Sequence, residues 1–218
     1  MPGLPECEYI DLHTHHTADP APDVLPVFSC LEPVLPEAGY FSAGIHPQDA
    51  DRLDWHDFET IWQEPRCLAV GECGLDRRYP DLKRQTEVFH AQADAAERLQ
   101  KPLILHCVRT HDEIRKIALD RKPAVPWIIH GFRGKERTLF SLLDAGFYIS
   151  FGGGLLKDAG NVEPYFQRIP RDRIFFETDA DNGPDLRAVY ALAASMYGVG
   201  INELCGIVRN NFRSVFAK

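Results

Sequence analysis

Cys67-Leu68-Ala69-Val70-Gly71-Glu72 is an unbroken apolar run that ends on an acid. No polar residue alternates within it, so both faces of the extended segment are buried, as in a parallel sheet covered by helices. The same layout recurs along the chain. Pro102-Leu103-Ile104-Leu105 enters His106, Val125-Pro126-Trp127-Ile128-Ile129 enters His130, and Arg173-Ile174-Phe175-Phe176-Glu177-Thr178 delivers Asp179. Near the start, Tyr9-Ile10 leads into Asp11-Leu12-His13-Thr14-His15. Residues i and i+2 of an extended chain point to the same side, so the two histidines can face one ion. His-x-His alone is common on surfaces; its weight here comes from the other donors that follow buried runs.

Three further strands read as residues 24–30, as Tyr40-Phe41-Ser42-Ala43-Gly44-Ile45 ending in His46-Pro47, and as residues 147–151. Helical spacing of apolar residues marks 55–63 with Asp54 as N-cap, and 82–100 with Val88, Phe89, Ala95, Ala96 and Leu99 as its stripe. It also marks 112–119, 135–145 up to Gly146, 186–197 and 201–217. Gly74 reads as a turn after Glu72. Gly152-Gly153-Gly154 lacks the Lys-Ser/Thr of a phosphate-binding P-loop and reads as a flexible loop. A first helix is missing: residues 17–26 carry Pro20, Pro22 and Pro26, and Pro33 and Pro36 leave 32–39 a turn or two of helix at most.

Eight strands with helices between most of them are the layout of a (β/α)8 TIM-type barrel, here somewhat reduced, spanning residues 1–218 as a single domain. In such barrels the C-terminal strand ends build the active site, which gathers His13, His15, His46, Glu72, His106, His130 and Asp179 at one mouth. An open doubly wound sheet is the alternative, and it would not collect all of them.

At 218 residues and 44% hydrophobic the chain can bury a full core, and a net charge of −8 argues against coating a long polyanion over the whole surface. A local basic mouth remains open, because Arg77, Arg78, Arg109, Arg133, Lys135 and Lys157 follow strand ends. Lys83 and Arg84 read instead as solvated helix-face charges. Cys7, Cys30, Cys67, Cys73, Cys107 and Cys205 form no C-x-x-C pair and read as reduced packing thiols. Cys73 and Cys107 adjoin Glu72 and His106 but face the opposite side of their strands. With no basic-then-apolar leader and no membrane-length apolar run, the expectation is a cytoplasmic protein without a membrane partner; the oligomeric state is left open, with a monomer favoured.

Four imidazoles and two carboxylates suit two divalent ions such as Zn, Mn or Mg rather than a thiolate site. Ions about 3.5 to 4 Å apart can activate a shared water. A bridge needs two donor atoms, which selects a carboxylate, and Glu72 lies in the middle of the set. His13, His15 and Asp179 then complete one ion, and His106 with His130 the other.

Asp11-Leu12-His13-Thr14-His15, Gly44-Ile45-His46-Pro47, Gly71-Glu72-Cys73-Gly74-Leu75-Asp76, Leu105-His106, Ile129-His130-Gly131-Phe132-Arg133-Gly134 and Glu177-Thr178-Asp179 follow one another in order. This series resembles the signatures of the TatD family of metal-dependent deoxyribonucleases, amidohydrolase-type barrels, from about residue 9 to the C-terminus. Gln85, Phe89, residues 146–150 and Asn211 fit the resemblance as well. It implies a metal-dependent phosphodiesterase acting on DNA, with Asp179 also general base and Glu72 the other catalytic residue. His46 becomes a substrate or phosphate contact. Three departures bear on the substrate rather than the ligands: a short segment 180–185, the lost first helix, and Arg77-Arg78 where the family commonly has an aromatic. Arg109 and Arg133 are candidate phosphate contacts, because guanidinium forks match phosphate oxygens, or partners of Asp112 and Glu136. Cleavage of an amide or ester in a small molecule is the competing enzymatic reading, and a non-catalytic metal-containing binding protein the third.

Overall fold

The computed structural model describes residues 8–16, 20–180 and 185–216. Eight strands run in the order β1 Tyr9–Thr14, β2 Val24–Cys30, β3 Tyr40–Ala43, β4 Cys67–Asp76, β5 Leu103–Val108, β6 Trp127–Ile129, β7 Tyr148–Phe151 and β8 Ile174–Phe176. Each pairs in parallel with the next, giving one eight-stranded sheet in sequence order. The helices are α1 Glu59–Trp62, α2 Leu82–Leu99, α3 His111–Arg121, α4 Glu136–Asp144, α5 Gly154–Lys157, α6 Ala159–Phe166, α7 Leu186–Tyr197 and α8 Ile201–Phe216. This is the expected reduced (β/α)8 barrel. Burial on both faces is why its strands are continuously apolar: every residue of β1, β4, β6 and β8 is buried.

The barrel closes at a narrow seam. Among the described residues β8 meets β1 through the one bridge Thr14–Asp179. Below that point the backbone of Ile10 is met by a side chain from α7: the Tyr190 hydroxyl accepts from Ile10 N at 3.1 Å and donates to Ile10 O at 2.9 Å. Between the two, Thr178 N and Oγ1 donate to the two oxygens of buried Asp11 at 2.9 and 2.7 Å. Burial pushes the Asp11 carboxyl up to about 7 despite those bonds.

Several local expectations differ from the structure. Gly74 lies within β4, at φ +138, where any Cβ would collide with the His106 carbonyl of β5. It serves close strand approach, not a turn. The 55–63 helix splits into a 3-10 turn, Trp55–Phe58, and the four-residue α1, with Asp54 accepting from His56 N at 3.0 Å as its cap. The glycine run is no flexible loop, since Gly154 opens α5 and α6 follows. Side chains decide those glycines: a Cβ on Gly152 would press on Glu177 Cγ at 3.3 Å, and one on Gly154 would overlap Arg133. Residues 20–23 and 31–39 form no helix, while 17–19 of the proline-rich connector lie outside the described residues. So do 181–184 of the shortened segment, Cys7 and residue 217. No single helix among the described residues is long and apolar enough to cross a membrane.

Candidate metal centre

β4 carries Glu72 to the centre of the mouth because its backbone departs from regular pairing there. The register with β5 shifts between Val70 and Cys73. Gly71 at φ +128 lets the strand pass Ile104 of β5, and Gly44 sits so close beneath that its Cβ would lie 2.6 Å from Gly71 Cα. Two glycines thus set the depth of one carboxylate. α2 contributes Gln92, fully buried, whose side chain accepts from Ile45 N at 2.7 Å and donates to Ile45 O at 3.2 Å, fixing the segment that ends in His46.

Around Glu72 the predicted donors converge, and its two oxygens serve different neighbours. Oε2 lies 3.3 Å from His13 Nε2 and 3.4 Å from His15 Nε2, and both imidazoles are within 3.8 Å of Asp179 Oδ1. Oε1 lies 2.7 Å from His106 Nδ1, 2.8 Å from His130 Nε2 and 3.7 Å from His46 Nε2. Candidate ion-holding groups overlap: His13, His15 and Glu72; His13, His130 and Asp179; His46, Glu72 and His106. The expected division of ligands is thereby crossed, with His130 reaching the Asp179 side and His46 the Glu72–His106 side. Asp179 itself sits at φ +56, held by its N–H on His13 O at 2.9 Å and its carbonyl under His15 N at 3.3 Å. Such non-glycine strain concentrates at functional sites.

Electrostatics follow from burial and from the mixture of charges. Burial alone would raise the Glu72 carboxyl, but His130 and His13 outweigh it and hold it well below the usual range. Burial would lower His130, yet Glu72 and Glu177 push it well above the ordinary histidine value. His46 is driven down to about 4, chiefly by burial, and stays neutral at pH 7. Its Nδ1 accepts from Gln48 N at 3.1 Å, so the proton of the neutral ring is on Nε2, which faces the site as a donor. Metal-bound histidines present the opposite arrangement, giving their second N–H away. His46 therefore fits an oxygen-contacting role better than ligation.

His106 and His130 show that ligating arrangement. His106 Nε2 lies 2.8 Å from Asp76 Oδ2, and His130 Nδ1 lies 3.3 Å from Glu177 Oε1, which also accepts from Gly131 N at 2.6 Å. Nothing in the sequence patterns assigns a role to Asp76, Glu177, Asp11 or Gln92. The signal available for the acids was spacing, since Asp11, Glu177 and Asp76 stand two or four residues from His13, Asp179 and Glu72.

Does this cluster fit divalent ions? His13 is fully buried, and among the described residues neither of its ring nitrogens has a hydrogen-bond partner of good geometry. A buried unsatisfied polar atom costs about 1–3 kcal/mol, so an imidazole whose Nε2 stands 3.3 and 3.8 Å from two carboxylate oxygens with no well-directed hydrogen bond to either is accounted for by a cation between them. The donors are nitrogen and carboxylate oxygen only, which fits Zn or Mn and excludes a soft thiolate site.

Beside the cluster opens a cavity of about 680 Å3 whose lining includes His106, His130, Glu177 and Asp179, and the cations Arg78, Arg109, Arg133 and Lys135. Arg109 stands there at φ +57. Glu136 pairs with Arg168, and Arg77 is turned away onto Glu113 and the Arg109 carbonyl. Lys157 is not among the residues lining this cavity.

A parallel eight-stranded barrel with a carboxylate-centred imidazole cluster at its C-terminal mouth is the architecture in which metal-dependent hydrolase barrels place their centre. Residues 28–217 match the model of the family described as TatD related DNase. The chain is 34% identical over 164 residues to the 3'-5' ssDNA/RNA exonuclease TatD of Edwardsiella piscicida, covering 69% of this chain and 61% of that protein. It is 32% identical over 193 residues to the uncharacterized metal-dependent hydrolase YcfH of Escherichia coli K12, covering 81% and 73%. The fold superposes on the crystal structure of YJJV, a TatD homolog from Escherichia coli K12, with a TM-score of 0.84 at 20% identity, covering 97% of this chain and 99% of that one. The chain belongs to the TatD-related DNase family.

Proposed function

We propose that the protein is a metal-dependent phosphodiesterase that hydrolyses DNA, using two divalent ions, Zn, Mn or Mg, at the mouth of a single cytoplasmic barrel domain. The observation that carries this reading is the split of Glu72, one oxygen toward His13 and His15 and the other toward His106 and His130. A carboxylate in that position can bridge two ions, and none of the imidazoles can. His13, His15, Glu72, His106, His130 and Asp179 would hold them. Ions bound there would polarise a phosphate oxygen and lower the pKa of water.

The chain's own residues supply the rest. Asp179, with its side chain 38% exposed, reaches both the cluster and the cavity and takes the proton from the attacking water. His46 offers an N–H to an oxygen of the reacting phosphate. Arg109 and Arg133 on the cavity wall hold the phosphates of the strand, and their presence favours a polyanionic substrate over a neutral amide or ester.

Metal-loaded and chelator-stripped protein should be incubated with single-stranded oligonucleotides and with a panel of amides and carboxylic esters. The expected result is cleavage of oligonucleotides only, lost on stripping and restored by Zn or Mn, with the circular dichroism spectrum unchanged. Turnover of an amide with no oligonucleotide cleaved would transfer the reading to the small-molecule hydrolase.

A further inference from the structure

The two arginines that depart from the family pattern go to opposite fates. Arg77 is spent on α3 and its approach loop, through Glu113 and the Arg109 carbonyl. Arg78 folds back onto Asp76. Its backbone N donates to Asp76 Oδ1 at 2.8 Å, its Nε to Oδ1 and Oδ2 at 3.1 and 2.9 Å, and its Nη2 to Oδ2 at 2.6 Å. That side-on grip uses Nε and Nη2 and leaves the Nη1 hydrogens turned away from the carboxylate. The side chain is 53% exposed and lines the cavity, and Nη2 lies 3.4 Å from His106 Nε2.

Asp76 is fully buried and makes two attachments with one carboxylate. Oδ2 receives Arg78 and also stands 2.8 Å from His106 Nε2. A proton held on that nitrogen leaves His106 Nδ1 as the lone-pair atom facing Glu72, 2.7 Å away. Asp76 cannot drift, because Gln85 of α2 accepts from its N at 2.9 Å and donates to its O at 3.2 Å.

We infer that Arg78 is a substrate contact that takes a phosphate oxygen of the strand beside His106, and that Asp76 is the positioning residue that holds both Arg78 and His106 in place. A free surface arginine loses rotamer freedom when it grips an anion. Arg78 has lost that freedom before the substrate arrives, which is preorganisation. Because Asp76 neutralises it, Arg78 supplies direction rather than net charge. The inference rests on the phosphodiesterase reading.

The test compares wild type with Arg78→Ala, Arg78→Lys and Asp76→Asn in the full chain. Three quantities are read: KM and kcat on a single-stranded oligonucleotide, metal affinity by competition with a chromogenic chelator, and anisotropy of a dye-labelled oligonucleotide on metal-free protein. Arg78→Ala should raise KM and weaken metal-free binding about 10- to 100-fold, with kcat and metal affinity little changed. Lysine, lacking the fork, should not restore either. Asp76→Asn has one acceptor for two donors and should also weaken metal binding about 10- to 100-fold. A urea midpoint for each variant separates unfolding from these effects. If wild type cleaves the oligonucleotide and Arg78→Ala keeps its KM and its anisotropy, the Arg78 contact is overturned while the phosphodiesterase reading stands. If Asp76→Asn keeps wild-type metal affinity and KM, the positioning role falls. If wild type cleaves no oligonucleotide, both the reading and the inference fall together.

Discussion

Tyr190→Phe removes one oxygen from the most vulnerable part of the barrel. That hydroxyl is the partner of both Ile10 N and Ile10 O, and Ile10 and Tyr190 are 2% and 0% exposed. Phenylalanine would leave two backbone groups buried without partners in a gap one oxygen wide. Each orphaned group costs about 1–3 kcal/mol, so the expected loss is about 2–4 kcal/mol, allowing for partial relaxation. With a urea m-value of about 2–3 kcal/mol/M, the unfolding midpoint of metal-free protein should fall by about 1 M or more. Tyr197→Phe is the internal control: its hydroxyl makes one bond, to Ile169 O at 3.2 Å, and should cost about 1 kcal/mol. The seam that Tyr190 closes also aligns His13 with Asp179, whose N–H bonds the His13 carbonyl. Metal affinity should therefore fall with stability in Tyr190→Phe and not in Tyr197→Phe. A Tyr190→Phe midpoint equal to that of the control would refute the idea that a side chain from α7 does the work of a strand at this seam.

Metal affinity should decrease as pH falls, and the loss should begin above the ordinary histidine value near 6.5, because Glu72 and Glu177 raise His130 and a proton there must leave before an ion binds. Calorimetry in buffers of differing ionisation enthalpy counts the protons released; affinity flat between pH 5.5 and 8 would contradict histidine ligation. Glu177→Ala strands Gly131 N and His130 Nδ1, and should weaken metal binding about 10- to 100-fold, whereas Glu177→Gln keeps an acceptor and should retain most of it. Equal losses in the two, measured by chelator competition, would show that the acceptor is not what matters. Gly74→Ala places a methyl against the His106 backbone at a φ that only glycine favours, so it should displace β5 and cost more than about 2 kcal/mol in urea; a loss under about 0.5 kcal/mol would mean that the strands are not in close contact there.

The barrel was legible because its strands are buried on both sides, which erases alternation and leaves continuous apolar runs even where a strand is as short as Trp127–Ile129. Glycine is ambiguous in a single sequence, for the residue looks the same in a turn and at a tight approach. Gly74 and Gly154 belong to the second use, and only the neighbouring His106 backbone and Arg133 side chain reveal it. α5 and α6 were hidden for a related reason. Gly160 and Pro164 weaken any local helical preference, and the segment is helical because Leu155, Tyr165 and Phe166 are buried against the barrel.

The donors were legible because each ends a buried run, but the acids behind them were not, since a single sequence marks them with no run of their own. The structure supplies the missing rule. Asp11 and His13, Glu72 and Asp76, and Glu177 and Asp179 are each separated by an even number of residues along one strand or its extension. Glu177 and Asp179 both face Gly131, and Glu72 and Asp76 both face His106, so a segment that delivers a site residue also delivers an acid beside it. Two of those acids reach histidines from other strands, Asp76 to His106 of β5 and Glu177 to His130 after β6, and the third, Asp11, reaches Thr178 across the seam. β4 therefore holds a histidine of the adjacent β5, and the end of β8 one that follows β6, two strands away, which is why a lesion at one strand end should be felt as lost metal affinity at another.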